Sequence, residues 1–386
     1  MKVAIWGGKD EAKFLGEECI KSNLADVVCF IDNRDNIIVI ENIPTINPRD
    51  INAILSQDTY IILAIRNGYS INCVLDQLEE LDISRERIII MKLSTFDYDK
   101  HILSLKESQF VWLMELKKIF LPYLQVIVTN QCNLNCKGCT HFANIYNKTK
   151  DSNEALIDEL ERDLYILSKT TQIFRLRILG GEPLLYKELK KLLYLARGYF
   201  SEADIRVVTN GVLIPNLNAD LLKSIKENNI GLDISLYPPI RNYKDKIETT
   251  LSEHDINYDF EGVNYIEKFW KNLDFYHYNE PNESYEKCLS KQCRTLYKGK
   301  LYKCPFDAFK NKYIKYFKLQ TKSNDDGYEI NDDIQYMDKI YKRLYKKPSK
   351  ACSYCSPINE VFYWENEIEP KESSWQILTD AKDDDL

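Results

Sequence analysis

Long hydrophobic runs are what this sequence most plainly lacks. No stretch of about 18 apolar residues occurs in its 386 positions, so no segment is suited to crossing a bilayer as a helix. The N-terminus, MKVAIWGGKD, lacks the basic region and apolar core of an export signal, which points to the cytoplasm. Positive charge is also short: 52 Lys and Arg stand against 59 Asp and Glu, a formal net charge of −7. The clustered basic surface that grips a phosphate backbone is therefore not expected, and neither nucleic acid nor a membrane is an expected partner. Histidine is scarce, and the four residues, His101, His141, His254 and His277, show no ligand spacing. No internal repeat of fixed period occurs, which excludes a solenoid.

The rest of the composition is that of a folded soluble chain, with 44% hydrophobic and 29% charged residues. The length exceeds one ordinary core and predicts two or three units. The first hundred residues alternate strand and helix: VAIW, a helix through Glu11 to Lys21, VVCFIDN, IIVI, a turn at Pro44 and Pro48, YIILAI, a helix from about Ile71 to Leu81, and RIIIM. That rhythm predicts a parallel sheet with helices on both faces over residues 1–97. Val3 to Gly8 read as the opening of a Rossmann-type unit. The G-x-G-x-x-G fingerprint is degraded, because Lys9 stands at the second glycine position and Ala12 at the third. Asp32 ends the second strand where a ribose-binding acid would sit. Dinucleotide binding and a cofactor-free recognition domain both remain open.

Apolar residues at 102, 105, 110, 113, 116 and 119, stopping at Pro122, predict a connecting helix over 98–122. From 123 the alternation resumes with LQVIVT, a helix over 153–168, RLRIL, a helix over 187–197, DIRVVTN, a helix over 218–228, GLDISLY and INYDFEG. The expectation is an α/β fold, a partial (β/α)6 barrel over 123–265 with its chemistry at the C-terminal strand ends. A small cysteine-rich extension over 266–370 and an acidic tail over 371–386 complete the chain.

Eleven cysteines in a chain without an export signal are better read as metal ligands than as disulfides. Cys19, Cys29 and Cys73 sit singly among apolar residues and read as small buried hydrophobes. Cys132-Asn-Leu-Asn-Cys136-Lys-Gly-Cys139 directly follows the apolar strand VIVT, and chance produces this spacing somewhere in such a chain only about once in a hundred and forty. Structural zinc needs four ligands, whereas three thiolates suit three corners of a 4Fe-4S cube and leave one iron open.

Cys132, Cys136 and Cys139 resemble the C-x3-C-x2-C signature of the radical S-adenosylmethionine superfamily. The resemblance implies a catalytic 4Fe-4S cluster that cleaves S-adenosylmethionine to methionine and a 5′-deoxyadenosyl radical, with an electron donor such as flavodoxin or ferredoxin. Gly138 departs from the family, which often has an aromatic residue there near the adenine. Gly180-Gly181-Glu182-Pro183, about forty residues on, resembles the family's GGEP motif, which contacts the methionine ammonium. Independently, two glycines permit close backbone approach and a carboxylate complements a cation. A plain Gly-Gly turn before a helix uses the same residues. Thr209-Asn210-Gly211 and Ser235, at the third and fourth strand ends, stand where the family contacts ribose and carboxylate, and equally suit caps or turns. Tyr237, Asp259 and Glu261 are acid/base candidates by position alone.

Cys293, Cys304 in GKLYKCP after Gly299, and Cys352-Ser-Tyr-Cys355 resemble the SPASM extension or its shorter twitch form. This implies a second, auxiliary 4Fe-4S cluster on Cys293, Cys304, Cys352 and Cys355; a zinc ribbon is the alternative. Cys288 is left over, as a replacement ligand, a hydrogen donor or an idle thiol. The resemblance leaves the substrate open. The Rossmann-like unit points to a saccharide or nucleotide-sugar, the SPASM-like extension to a peptide, and a non-catalytic metal-binding structural role is a third possibility.

Overall fold

The computed structural model describes residues 1–377 except 35–39, 41, 66–67, 92–109, 114–117, 151–153, 262–266, 292 and 322–324. The chain divides into two compact units, Met1–Pro122 and Tyr123–Leu386.

The first unit is built on β1 (Lys2–Gly7), β2 (Asp26–Ile31), β3 (Thr45–Ile46), β4 (Thr59–Ala64), β5 (Ile88–Met91) and β6 (Phe110–Trp112), in the order β3-β2-β1-β4-β5-β6. All pairings are parallel except β5 with β6. Val3, Ala4 and Ile5 are wholly buried, as a central parallel strand covered on both faces requires. The helices Lys9–Lys21 and Gly68–Glu80 follow β1 and β4. Most of the expected IIVI strand and of the expected 98–122 helix lies outside the described residues. Where that helix is described, it does not form: 110–112 pair antiparallel with β5, and 119–122 begin the next strand. Aromatic and β-branched residues there, Phe110, Trp112, Ile119 and Phe120, favour extended backbone over the loose helical spacing.

The second unit continues with β7 (Ile119–Thr129), β8 (Thr171–Gly180), β9 (Asp204–Thr209), β10 (Gly231–Ser235), β11 (Tyr258–Glu261) and β12 (Lys268–Leu273), then β13 (Thr295–Tyr297), β14 (Lys300–Tyr302), β15 (Tyr328–Glu329) and β16 (Cys355–Tyr363). Eight of these form one sheet, ordered β11-β10-β9-β8-β7-β13-β14-β15, and β12 pairs with β16. The helices Ile157–Thr170, Leu189–Tyr199, Ala219–Glu227 and Lys244–Glu253 alternate with strands β8 to β11. Each buries one stripe; in the first it is Leu160, Leu164 and Leu167. This is a mixed α/β architecture with a barrel-like core. One edge differs from the expected partition at 265: β13, from the cysteine-rich extension, lies parallel to β7. The β13–β14 hairpin turns on Lys298 and Gly299, at φ 49° and 73°, the left-handed pair that a tight primed turn demands.

A charged layer crosses the strands. Arg177 pairs with Asp233 at 2.9 Å, Arg206 with Asp204 at 2.9 Å and with Asp259 at 3.1 Å, and Arg177 also donates to the Tyr123 hydroxyl. Asp259, an acid/base candidate by position, is thus held in a structural ion pair. Among the described residues, no helix is long and apolar enough to cross a membrane.

Candidate functional site

The three thiols of the triplet stand on the loop that leaves β7. Asn147, in the short helix Ala143–Thr149, ties that loop: its Oδ1 accepts from the Cys132 N–H at 3.2 Å, and its Nδ2 donates to the Cys132 carbonyl at 2.8 Å and Asn135 Oδ1 at 2.9 Å. Phe142 anchors the loop's exit, 1% exposed and packed on Tyr313 and Trp375 with ring centroids 5.1 and 5.5 Å apart. Burial pushes all three thiols up, Cys136 to about 12. Apolar surroundings disfavour a bare thiolate, so ionising these sulfurs needs a bound cationic centre to compensate. Among the described residues, no group of three or more His, Cys, Asp or Glu converges on a single-ion site.

Glu182 is fully buried and collects the neighbouring strand ends. Its Oε1 accepts from Thr209 Oγ1 at 2.7 Å and the Leu184 N–H at 3.1 Å, and its Oε2 accepts from the Asn210 N–H at 2.9 Å. Burial outweighs these hydrogen bonds and pushes its carboxyl up to about 7. The close approach permitted by the two glycines is made by the chain's own backbone. A Cβ on Gly180 would lie 2.0 Å from the Thr129 carbonyl oxygen, and one on Gly181 would lie 2.1 Å from that of Gln131. The N–H groups of Gly181 and Glu182 donate to those two carbonyls, both at 2.7 Å. Pro183 opens a short 3-10 turn capped by Glu182, so the turn and the buried carboxylate share one segment.

Asn210 joins this cluster to the cysteine loop. Its Nδ2 donates to Asn133 Oδ1 at 2.6 Å and lies 3.7 Å from Cys132 Sγ. Ser235 is buried at the end of β10, and its carbonyl accepts from the Tyr237 N–H. The strand ends of β7, β8 and β9 therefore converge on Cys132. Asn130, fully buried just before the loop, has its Oδ1 without a hydrogen-bond partner, an acceptor open to a ligand's donor. His141 Nε2 is likewise buried and unpartnered, and burial holds its imidazole down at about 4.

Sequence reasoning missed the loop's cover. Residues 364–369 run across it: Cys136 bridges to Asn366, the Lys137 N–H donates to the Glu365 carbonyl at 3.0 Å, and the Glu367 N–H to the Asn135 carbonyl at 2.6 Å. Trp364 Nε1 donates to Cys136 Sγ at 3.2 Å and Trp375 Nε1 to the Cys139 carbonyl at 2.9 Å. Gly138 adopts φ 65°, and a Cβ there would lie 2.6 Å from Phe362 Cζ, so the ring packs where another residue's side chain would begin. No spacing rule links residues more than two hundred positions apart; tryptophan at 364 and 375 was the one available signal.

The remaining cysteines gather around β14 and the start of β16. Cys304 caps the helix Pro305–Phe317, Cys352 lies in the turn Lys350–Tyr354, and Cys355 opens β16. Cys288 follows the helix Pro281–Glu286, which is tied to β16 by a bond from Ser284 Oγ to the Cys355 carbonyl at 2.6 Å. Burial raises all four thiols; Cys304 and Cys355 are raised further by Cys288 and Cys352, and Cys288 by Cys352. The Cys293 thiol acts on the phenol of Tyr123. Lys303 sits among them with its ammonium 3.8 Å from the Tyr285 ring centroid, pushed down to about 7 by burial and Arg294.

Residues 126–256 match the model of the Radical SAM superfamily. GTP 3′,8-cyclase of Clostridium acetobutylicum is 33% identical over 114 residues, 29% of this chain and 35% of that protein. That of Campylobacter jejuni subsp. doylei is 30% identical over 139 residues, 35% and 42% of the two chains. The chain spans about a third of the length of the first curated relatives it matches. Among solved structures, BtrN in complex with AdoMet and 2-DOIA aligns over 63% of this chain and 94% of its own, at 18% identity and TM-score 0.35. Streptococcus suis SuiB bound to S-adenosylmethionine aligns over 62% and 71%, at 14% identity and TM-score 0.30.

Proposed function

We propose that this chain, whose residues 126–256 are a radical SAM domain, is an enzyme that uses the Cys132, Cys136 and Cys139 loop as its cluster-binding site and acts on a saccharide or nucleotide-sugar. The observation that carries the reading is the convergence of Glu182, Asn210 and the triplet at the ends of three strands. The three thiols would hold a 4Fe-4S cluster with one iron left open, which would supply the electron for reductive cleavage of S-adenosylmethionine. The protein's part is to hold and shield. The three thiols ligate, Asn147 keeps the loop's shape, and Asn210 fixes Asn133 beside Cys132. Gly180, Gly181, Glu182 and Pro183 form the wall that takes the ligand's amino group, with the unpartnered Asn130 Oδ1 as an additional acceptor. Asn210 and Ser235 line the ribose side.

A second 4Fe-4S cluster belongs, in this reading, to Cys304, Cys352 and Cys355, with Cys293 or Cys288 as the fourth ligand. Such a centre, fully ligated by protein, suits removal of an electron from a substrate radical and hence a net oxidation.

The saccharide assignment rests on the first unit. At the carboxyl ends of β1, β2 and β4 a cavity of about 320 Å³ is lined by Trp6, Gly8, Glu11, Asp32 and Arg34, the position where doubly wound sheets take ligands. Asp32 is ion-paired with Arg34 at 3.2 Å. The test is deuterium transfer into 5′-deoxyadenosine from perdeuterated nucleotide-sugars under reducing, anaerobic conditions. Label appearing with a sugar supports the assignment; abundant unlabelled product with every sugar offered, and label with a peptide, would overturn it.

A further inference from the structure

The cover over the cysteine loop makes one contact with a prospective ligand atom. Trp364 Nε1 lies 3.2 Å from Cys136 Sγ, whereas Trp375 uses the carbonyl of Cys139 and the other cover contacts are made by backbone or by Lys137 and Lys148. The indole is held in place from both sides in sequence. Phe362 packs against Gly138, and the backbone N–H of Trp364 donates to the Glu267 carbonyl at 2.7 Å beside the β12–β16 ladder. A neutral thiol is a poor acceptor, but a ligating thiolate is a good one, and the bond then becomes charge-assisted.

We propose that Trp364 is a positioning residue that sets the reduction potential of the cluster held by the triplet, by donating its indole N–H to Cys136. The inference rests on the reading that the triplet carries a cluster. Reduction adds one electron and one negative charge to the cluster and its thiolates, with the external donor oxidised in turn. A fixed N–H aimed at one of those sulfurs stabilises the more negative state and raises the potential. The domain's C-terminal segment thereby takes part in the chemistry of a loop 228 residues earlier in the chain.

The test is a redox titration of the full-length reconstituted protein, followed by electron paramagnetic resonance. The signal that changes on adding S-adenosylmethionine identifies the triplet's cluster against any second one. In Trp364→Phe the ratio of reduced to oxidised cluster at fixed potential should fall about tenfold, a shift of about 59 mV to more negative values for one electron. Trp375→Phe, which removes an indole N–H that serves the Cys139 carbonyl and touches no sulfur, should leave the potential in place. An unchanged potential in an iron-loaded Trp364→Phe protein, or an equal shift in Trp375→Phe, overturns the proposal. If the variant loses its iron, wild-type protein labelled with [15N-indole]tryptophan replaces it: a 15N coupling to the reduced cluster supports the bond and its absence refutes it. A wild-type protein that binds no S-adenosylmethionine-responsive cluster would instead overturn the underlying reading.

Discussion

The Asn210 N–H donates to Glu182 Oε2 at 2.9 Å, and from the same residue Nδ2 reaches Asn133 beside Cys132. One asparagine thus couples a buried carboxylate to the cysteine loop. Because Thr209 and Leu184 also donate to Glu182, the carboxylate works chiefly as the tie between strand ends, and what it presents to a ligand is shaped by that burial.

This has a pH signature. Burial raises the Glu182 carboxyl from 4.5 to about 7, so the folded state holds a proton that the unfolded chain has released. Its stabilising contribution is fully present below pH 4.5 and is lost as pH rises through about 7, an effect of order 3 kcal/mol. His141, held down from 6.5 to about 4, acts in the opposite sense over its own interval. The quantity to measure is therefore the difference in unfolding free energy between wild type and Glu182→Gln in the cluster-free protein. Wild type should lose ground to the variant from pH 4.5 to 7, and a constant difference would contradict the assignment.

Gly181→Ala should destabilise severely. The added Cβ would meet the Gln131 carbonyl at 2.1 Å and force β8 away from β7. Overpacking against backbone costs about 3 kcal/mol or more. Urea unfolding should show this loss, with the iron content of the triplet falling in parallel. Gly198→Ala, with nothing within 4 Å of the new atom, should change neither.

The cysteines can be sorted by iron counting. Wild type should hold about eight irons, two cubes' worth. Cys352→Ala should fall to about four while still cleaving S-adenosylmethionine, and so should one of Cys293→Ala and Cys288→Ala; eight irons in Cys352→Ala would contradict a second cluster. Loss of four irons in Cys293→Ala with none in Cys288→Ala would select the set expected from sequence.

Much of this architecture was legible in the sequence because it is local. The strand VIVT runs straight into the triplet, and Gly180 to Pro183 end a strand whose periodicity is plain, so the strand-end positions followed from alternation alone. In the described part of 98–122, residues 110–112 and 119–122 are strand and not the expected helix, because Phe110, Trp112, Ile119 and Phe120 favour extended backbone. The two glycines were legible as a place of close approach, but not that the backbone of Thr129 and Gln131 makes such an approach. Gly138 looked like a missing aromatic; the aromatic ring against it is Phe362, supplied from the far end of the chain. Contacts of that kind depend on tertiary closure, which spacing does not encode.

The most direct test of the central claim is 5′-deoxyadenosine formation by anaerobically reconstituted protein given dithionite and S-adenosylmethionine, for wild type and Cys136→Ala side by side. The account predicts product from wild type and none from the variant; an iron-loaded wild type that forms none, or a Cys136→Ala protein that forms as much, would contradict it.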